Sequence, residues 1–141
     1  MYYLKRHFTF AGGHRLSKHE GRCFSIHGHN YDVWVTVRSP KLDKNDMVMD
    51  FTELKKHVNP LIDEFDHCLV VNECDKEIVE PFKKKGMRVM VIGNYDPTAE
   101  RMAQGIFKNL QNTFATRYVN IEVDQIEVFE NVNSSAIYRE D

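Results

Sequence analysis

His27 and His29 stand one residue apart, just ahead of the run Tyr31-Asp32-Val33-Trp34-Val35-Thr36-Val37. That run is rich in β-branched and aromatic residues, so it reads as a strand. On a strand, residues i and i+2 point to the same face, and an HxH pair therefore aims two imidazoles at one point. Gly28 between them adds no side chain and lets another backbone or a substrate approach closely. A metal needs a third ligand, and His14 follows Gly12-Gly13 in the preceding segment, where the chain can bend. If the two segments lie side by side, three neutral imidazoles meet. Three protein ligands leave one coordination position open, the pattern of a catalytic zinc site. Imidazole also suits iron and manganese. Asp32 is a weaker candidate third ligand, because on a regular strand it faces away from His27 and His29.

Cys23 lies four residues before His27, within reach of the rim of such a site. A thiol beside a cation or a histidine has a lowered pKa and can act as base or nucleophile. A small buried hydrophobe is the commoner fate of a lone cysteine, and Cys68 and Cys74 are read that way. Asp66-His67 pairs a carboxylate with an imidazole whose tautomer it can fix, a possible proton relay. A histidine favouring a helix C-terminus is the competing account. Glu130 follows an apolar strand and would suit a ligand with adjacent N–H donors, unless it is a solvated strand end. Glu100 falls in the first turn of a helix, where the helix dipole explains it.

The elements that must position these groups follow from periodicity. Residues 2–10 and 30–38 read as strands, joined by a long connection, 11–28, that carries Gly12, Gly13 and Gly21. A loop of that length in a compact domain is usually functional. Asp50 is an N-cap with Glu53 at N3, and Phe51, Leu54, Val58, Leu61, Ile62 and Phe65 follow helical spacing. Pro60 should kink or loosen that helix. A short helix over 76–85, stopped by Gly86, precedes a short strand over 87–92. Asp96-Pro97 reads as N-cap plus first helical residue, with Ala99, Ala103, Ile106, Phe107, Leu110 and Phe114 forming the apolar face. Strands are expected over 120–129 and 135–138. The order, β-β-α-(insert)-α-β-β, indicates an α+β domain with an antiparallel sheet and helices on one face.

The 141 residues suit a single domain, 1–141, which buries roughly 68–70% of its unfolded surface without staples. A net charge of −2 gives no global reason to expect nucleic-acid or membrane binding. No apolar run approaches the roughly 20 residues needed to span a bilayer. Residues 1–10 lack a signal-peptide core, so a cytoplasmic location is expected. Three cysteines without a repeated CxxC argue against a disulfide framework.

Six segments taken together resemble the 6-pyruvoyl-tetrahydropterin synthase family. They are Phe10-Ala11-Gly12-Gly13-His14-Arg15-Leu16, Cys23-x3-His27-Gly28-His29-Asn30-Tyr31, Met49-Asp50-Phe51-x2-Leu54, Asp66-His67, Pro97-Thr98-Ala99-Glu100 and Val128-Phe129-Glu130. Each motif is weak alone, but six in this order are specific. The three-residue gap between Cys23 and His27 and the ending Ala136-Ile137-Tyr138-Arg139 look most like the queuosine-pathway 6-carboxy-5,6,7,8-tetrahydropterin synthases. The resemblance implies the tunnelling fold, a four-stranded antiparallel sheet backed by two helices. It also implies a homo-hexamer, a dimer of trimers, with active sites at subunit interfaces. Residues 73–95 are longer than in compact bacterial members, an insertion of unassigned role.

The mechanism implied by the resemblance maps onto this chain as follows. His14, His27 and His29 would hold Zn²⁺, which acidifies a C–H of 7,8-dihydroneopterin triphosphate and stabilises the enediolate. Cys23 would be the general base, and His67, oriented by Asp66, would relay the proton. Glu130 would grip the amino-pyrimidine edge of the pterin, with Thr98 and Glu100 as further contacts. Arg15, Lys18 and Arg22 lie in a loop suited to meeting the triphosphate, although solvated surface charge explains them equally well. The products would be 6-carboxy-5,6,7,8-tetrahydropterin, acetaldehyde and triphosphate. The same site could instead support pyruvoyl-tetrahydropterin synthesis or simple side-chain cleavage. A cupin-like iron oxygenase conflicts with two long amphipathic helices, and a non-enzymatic metal- or pterin-binding module would tolerate loss of Cys23.

Overall fold

The computed structural model describes residues 1–141. Strand β1 is Tyr2–His14 and β2 is His27–Ser39. They pair antiparallel without interruption from Tyr2↔Ser39 to His14↔His27. The expected connection of 11–28 is therefore shorter, because β1 runs through Gly12-Gly13 instead of breaking there. The glycines serve close approach: a Cβ on Gly28 would lie 2.9 Å from the Gly12 carbonyl oxygen, nearer than two non-bonded atoms tolerate.

Helix α1 is Phe51–Phe65, capped by Asp50, whose carboxylate accepts the Thr52 N–H at 2.7 Å. Glu53 does not complete a reciprocal capping box; it accepts from the Tyr118 hydroxyl and from Lys56. Pro60 lies inside the helix. The buried face carries Leu54, Val58, Ile62 and Phe65, each contributing about 1.5–3 kcal/mol by leaving water.

Next come β3 (Leu69–Asn72), α2 (Lys76–Lys84) and β4 (Val89–Gly93). Helix α3 is Ala99–Arg117, followed by β5 (Glu122–Asn131) and β6 (Ser134–Tyr138). The cap of α3 is Thr98, whose hydroxyl accepts the Arg101 N–H. The expected cap, Asp96, is held instead by Ser17 and Asn72.

The sheet has six strands in the order β4-β3-β1-β2-β5-β6. It is mixed, not the four-stranded antiparallel sheet expected. The segment after α1 adds β3 parallel to the end of β1, with β4 parallel to β3. Phe8 and Phe10 of β1, Val33, Val35 and Val37 of β2, and Ile126 and Val128 of β5 join the α1 and α3 residues in one core of 23 buried side chains. Helix α2 is the short helix expected over 76–85, and it makes a third helix where the family resemblance implied two. Val71 and Val79 are buried outside that core, and Phe82 shares a cleft with Gly13, Leu69 and Val89. By strand alternation those positions face away from Val70 and the main core, so α2 covers the reverse face of the sheet edge. No helix is long and apolar enough to cross a membrane.

Candidate metal centre and adjoining pocket

Three strands end their core-facing stripes in groups that can do chemistry. On β1 the stripe runs Phe8, Phe10, Gly12, His14. On β2 it runs Val33, Tyr31, His29, His27. On β5 it runs Ile126, Val128, Glu130. The registers Phe10↔Tyr31, Gly12↔His29 and His14↔His27 bring the first two polar ends together.

The three imidazoles converge, with one ligand nitrogen from each lying within 4.8 Å of the others. His14 is 1% exposed. Its Nδ1–H donates to the Pro97 carbonyl at 2.8 Å, and His27 Nδ1–H donates to the Ser25 carbonyl at 2.7 Å. A carbonyl oxygen can only accept, so both rings are fixed with the proton on Nδ1 when neutral. Burial lowers the His14 pKa despite the opposing Pro97 hydrogen bond and Glu130 charge, which favours the neutral, ligating form. The two Nε2 lone pairs then face each other at 2.9 Å. His29 Nε2 is buried and has no hydrogen-bond partner. A cation answers all three nitrogens, and backbone carbonyls orienting the far nitrogens are the usual support for imidazole ligands. The residues present therefore fit a metal ion.

Glu130 is part of this constellation, its carboxylate 4.0 Å from His14 Nε2. It also lines a cavity of about 120 Å³ with Glu100, Ala99 and Ser134–Ala136. Thr98 adjoins the site through Pro97, but its hydroxyl is used in capping α3. Cys23 sits in a single 3-10 turn, Arg22–Phe24, half-buried, with its carbonyl accepting the Leu16 N–H at 2.9 Å. It is not a fourth member of the imidazole cluster.

Asp66 and His67 stand elsewhere. The Asp66 carboxylate accepts the Ala11 N–H at 3.0 Å and meets His67 Nδ1 at 2.9 Å. The Ala11 hydrogen bond, followed by that from His67, holds the Asp66 carboxyl below its usual pKa. His67 is 79% exposed. It lines a cleft of about 580 Å³ with His27, Gly28, Leu69, Phe82 and Arg88, and it is not a member of the imidazole cluster. Within one chain the pair is not brought onto the metal centre. Asp32 accepts from His7 Nε2 at 2.6 Å and plays no part in the cluster. Arg15 is committed to Asp75 and to the Phe24 carbonyl, whereas Lys18 and Arg22 are exposed.

Tyr31 was missed by motif reasoning. It is fully buried, its ring edges against His14 and His29 with centroids 6.0 and 5.3 Å apart, and its hydroxyl has no partner. Burial raises the phenol pKa, and the charges of Glu130 and Cys23 raise it further, so it stays protonated. The alternation His27-x-His29-x-Tyr31 was the signal that could have placed it on this face.

Fold and site together define an α+β protein with a cluster of three histidines, able to hold a metal ion, at the polar end of its sheet. The family model described as 6-pyruvoyl tetrahydropterin synthase matches residues 3–141. The chain is 30% identical over 144 aligned positions to a 6-carboxy-5,6,7,8-tetrahydropterin synthase of Aquifex aeolicus, covering 97% of this chain and 89% of that protein. It is 37% identical to the Rickettsia typhi protein of the same name, covering 79% and 86%. Among solved structures, an uncharacterized Wolinella succinogenes protein, WS1659, superposes with a TM-score of 0.80 at 21% identity, covering 99% and 98%. The Caenorhabditis elegans 6-pyruvoyl tetrahydropterin synthase superposes at 0.72 and 24%, covering 99% and 96%. This chain belongs to the 6-pyruvoyl tetrahydropterin synthase family.

Proposed function

We propose that this protein is a zinc-dependent lyase that converts 7,8-dihydroneopterin triphosphate to 6-carboxy-5,6,7,8-tetrahydropterin, acetaldehyde and triphosphate, a step of queuosine biosynthesis in the cytoplasm. The observation that carries this reading is the cluster of three imidazoles, two of them anchored through Nδ1, with the Glu130 carboxylate 4.0 Å from His14. The curated relatives cited above bear the corresponding name.

His14, His27 and His29 would hold the ion, which when bound supplies Lewis-acid polarisation of the substrate's side-chain oxygens. Glu130 binds the pterin by accepting from its amino-pyrimidine N–H groups. The cavity it shares with Glu100 lies beside the metal centre, so one bound molecule reaches both. Thr98 contributes through its position in the loop whose Pro97 carbonyl orients His14. Tyr31, held neutral, offers a hydroxyl donor at the same spot. Cys23 removes the proton from the substrate carbon, and His67, steadied by Asp66, passes it on. Because His67 is 79% exposed and stands outside the imidazole cluster, the relay of one chain serves the centre of a neighbouring copy. That arrangement agrees with a homo-hexamer of the tunnelling type, assembled from two trimers. The 73–95 segment belongs to the same single domain as an insertion.

The deciding experiment is incubation of the zinc-loaded protein with 7,8-dihydroneopterin triphosphate, with products identified by mass spectrometry. Carboxy-tetrahydropterin with acetaldehyde is expected. A pyruvoyl product would keep the site and move the chain to the sister reaction. Absence of metal-dependent turnover would overturn the assignment.

A further inference from the structure

The segment that follows β3 grips the loop that carries Cys23. Arg15, next after His14, extends into this contact. Its guanidinium forms a salt bridge with Asp75, and the two side chains are only 11% and 7% exposed. The same guanidinium donates from Nε to the Phe24 carbonyl at 2.8 Å and lies over the Phe24 ring, 4.2 Å from its centroid. Phe24 is the residue after Cys23. Nearby, the Cys74 thiol approaches the Ser17 hydroxyl at 3.4 Å. Asn72 and Ser17 both donate to the Asp96 carboxylate, at 2.9 and 2.5 Å, and the Lys18 N–H donates to its other oxygen at 2.9 Å.

A short loop ordinarily gives a cysteine loose placement. Here a planar guanidinium is fixed at one end by a buried carboxylate, and its Nε–H is aimed at the backbone beside the thiol. Arginine suits this task because its donors form a rigid fork, which a lysine ammonium does not reproduce. Nothing in the imidazole cluster requires Asp75, and the surface does not call for a buried ion pair there. Buried pairs add little net stability over apolar replacements, which makes a positioning role the better account of this one.

We propose that Asp75, acting through Arg15, is a positioning residue for the Cys23 thiol, and that the segment after β3 clamps the loop bearing it. The catalytic part of this inference rests on Cys23 being the base proposed above.

The test is Asp75→Asn in the zinc-loaded full chain, read in two ways. Alkylation of Cys23 by iodoacetamide is followed by peptide mass mapping, with buried Cys68 as internal reference. Turnover is split into kcat and KM. The expected result is faster Cys23 alkylation, with kcat lowered on the order of 10- to 100-fold, since misplacing a reacting group by about 1 Å has that scale of effect. KM and zinc stoichiometry should stay near the parent's. Unchanged alkylation and unchanged kcat would overturn the proposal. If Asp75→Asn fails to fold by circular dichroism, Arg15→Lys decides. It keeps the charge against Asp75 but lacks the Nε donor to Phe24, and the same two shifts are expected of it. A parent without turnover whose Cys23 still responds to Asp75→Asn supports the clamp and rejects only the assigned chemistry. An active parent whose Cys23 ignores both substitutions rejects the clamp alone.

Discussion

His14 and His27 face each other Nε2 to Nε2 at 2.9 Å, while the Nδ1 of each ring is tied to a backbone carbonyl. Two fixed lone pairs at that separation repel unless something positive lies between them. On a tetrahedral zinc with bonds of about 2.0–2.1 Å, two ligand nitrogens sit roughly 3.3 Å apart, so little movement is needed to admit the ion. His29, with its unpartnered buried Nε2, would supply the third bond.

His29→Ala should therefore lower zinc affinity by more than the roughly 10- to 100-fold typical of losing a group that merely supports a ligand. Competition with a chromophoric chelator measures this. An affinity equal to the parent's would remove His29 from the ligand set.

Much of this centre was legible in the sequence because it rests on strand alternation. His27, His29 and the following apolar run share one parity, and the structure places them on one face. The extent of β1 was not legible: Gly12-Gly13 carries the local signature of a turn, and only the pairing partner reveals why glycine is there. Asp96 and Thr98 are both good caps, and Asp96-Pro97 is the stronger local pattern. Contacts with Ser17 and Asn72, 79 and 24 residues away, decided the matter, and no local window contains them. The strand expected over 87–92 is β4, but β3 and its parallel pairing escaped for the same reason, as a four-residue run of Leu69-Val70-Val71-Asn72 carries no direction. The Asp66-His67 motif was visible, but its placement outside the imidazole cluster was not.

Cys23→Ala should retain zinc and pterin binding and lose turnover by about 10²–10⁴-fold, the usual contribution of a positioned general base. Zinc analysis and isothermal titration with a non-reactive pterin check the first part, and steady-state kinetics the second. Full activity would exclude the thiol as the base.

Asp96 gives a pH signature. Burial alone would raise its pKa, but hydrogen bonds from Ser17, Asn72 and the Lys18 N–H outweigh burial and hold it below the ordinary 3.8. A carboxyl depressed in the folded state contributes stability above its unfolded pKa and loses it as pH falls through the lower folded value. The urea midpoint should therefore drop as pH falls from 5 through about 4 and below, and Asp96→Asn should show a smaller drop over that window. Identical pH profiles for the two proteins would mean that the Asp96 contacts do not persist in solution.

His67 offers a test independent of chemistry. Its φ is +53°, in the left-handed region that most side chains avoid. Asparagine adopts that region readily, whereas β-branched residues resist it. The backbone there is pinned, with the His67 N–H donating to the Ala11 carbonyl at 2.6 Å and Asp66 accepting the Ala11 N–H. The turn cannot relax without breaking its attachment to β1. His67→Val should thus cost about 1–2 kcal/mol more than His67→Asn, measured by urea unfolding. Because the ring is mostly exposed, lost packing contributes little to either value. Equal stabilities would show that the turn rearranges, and with it the seat of the proposed relay.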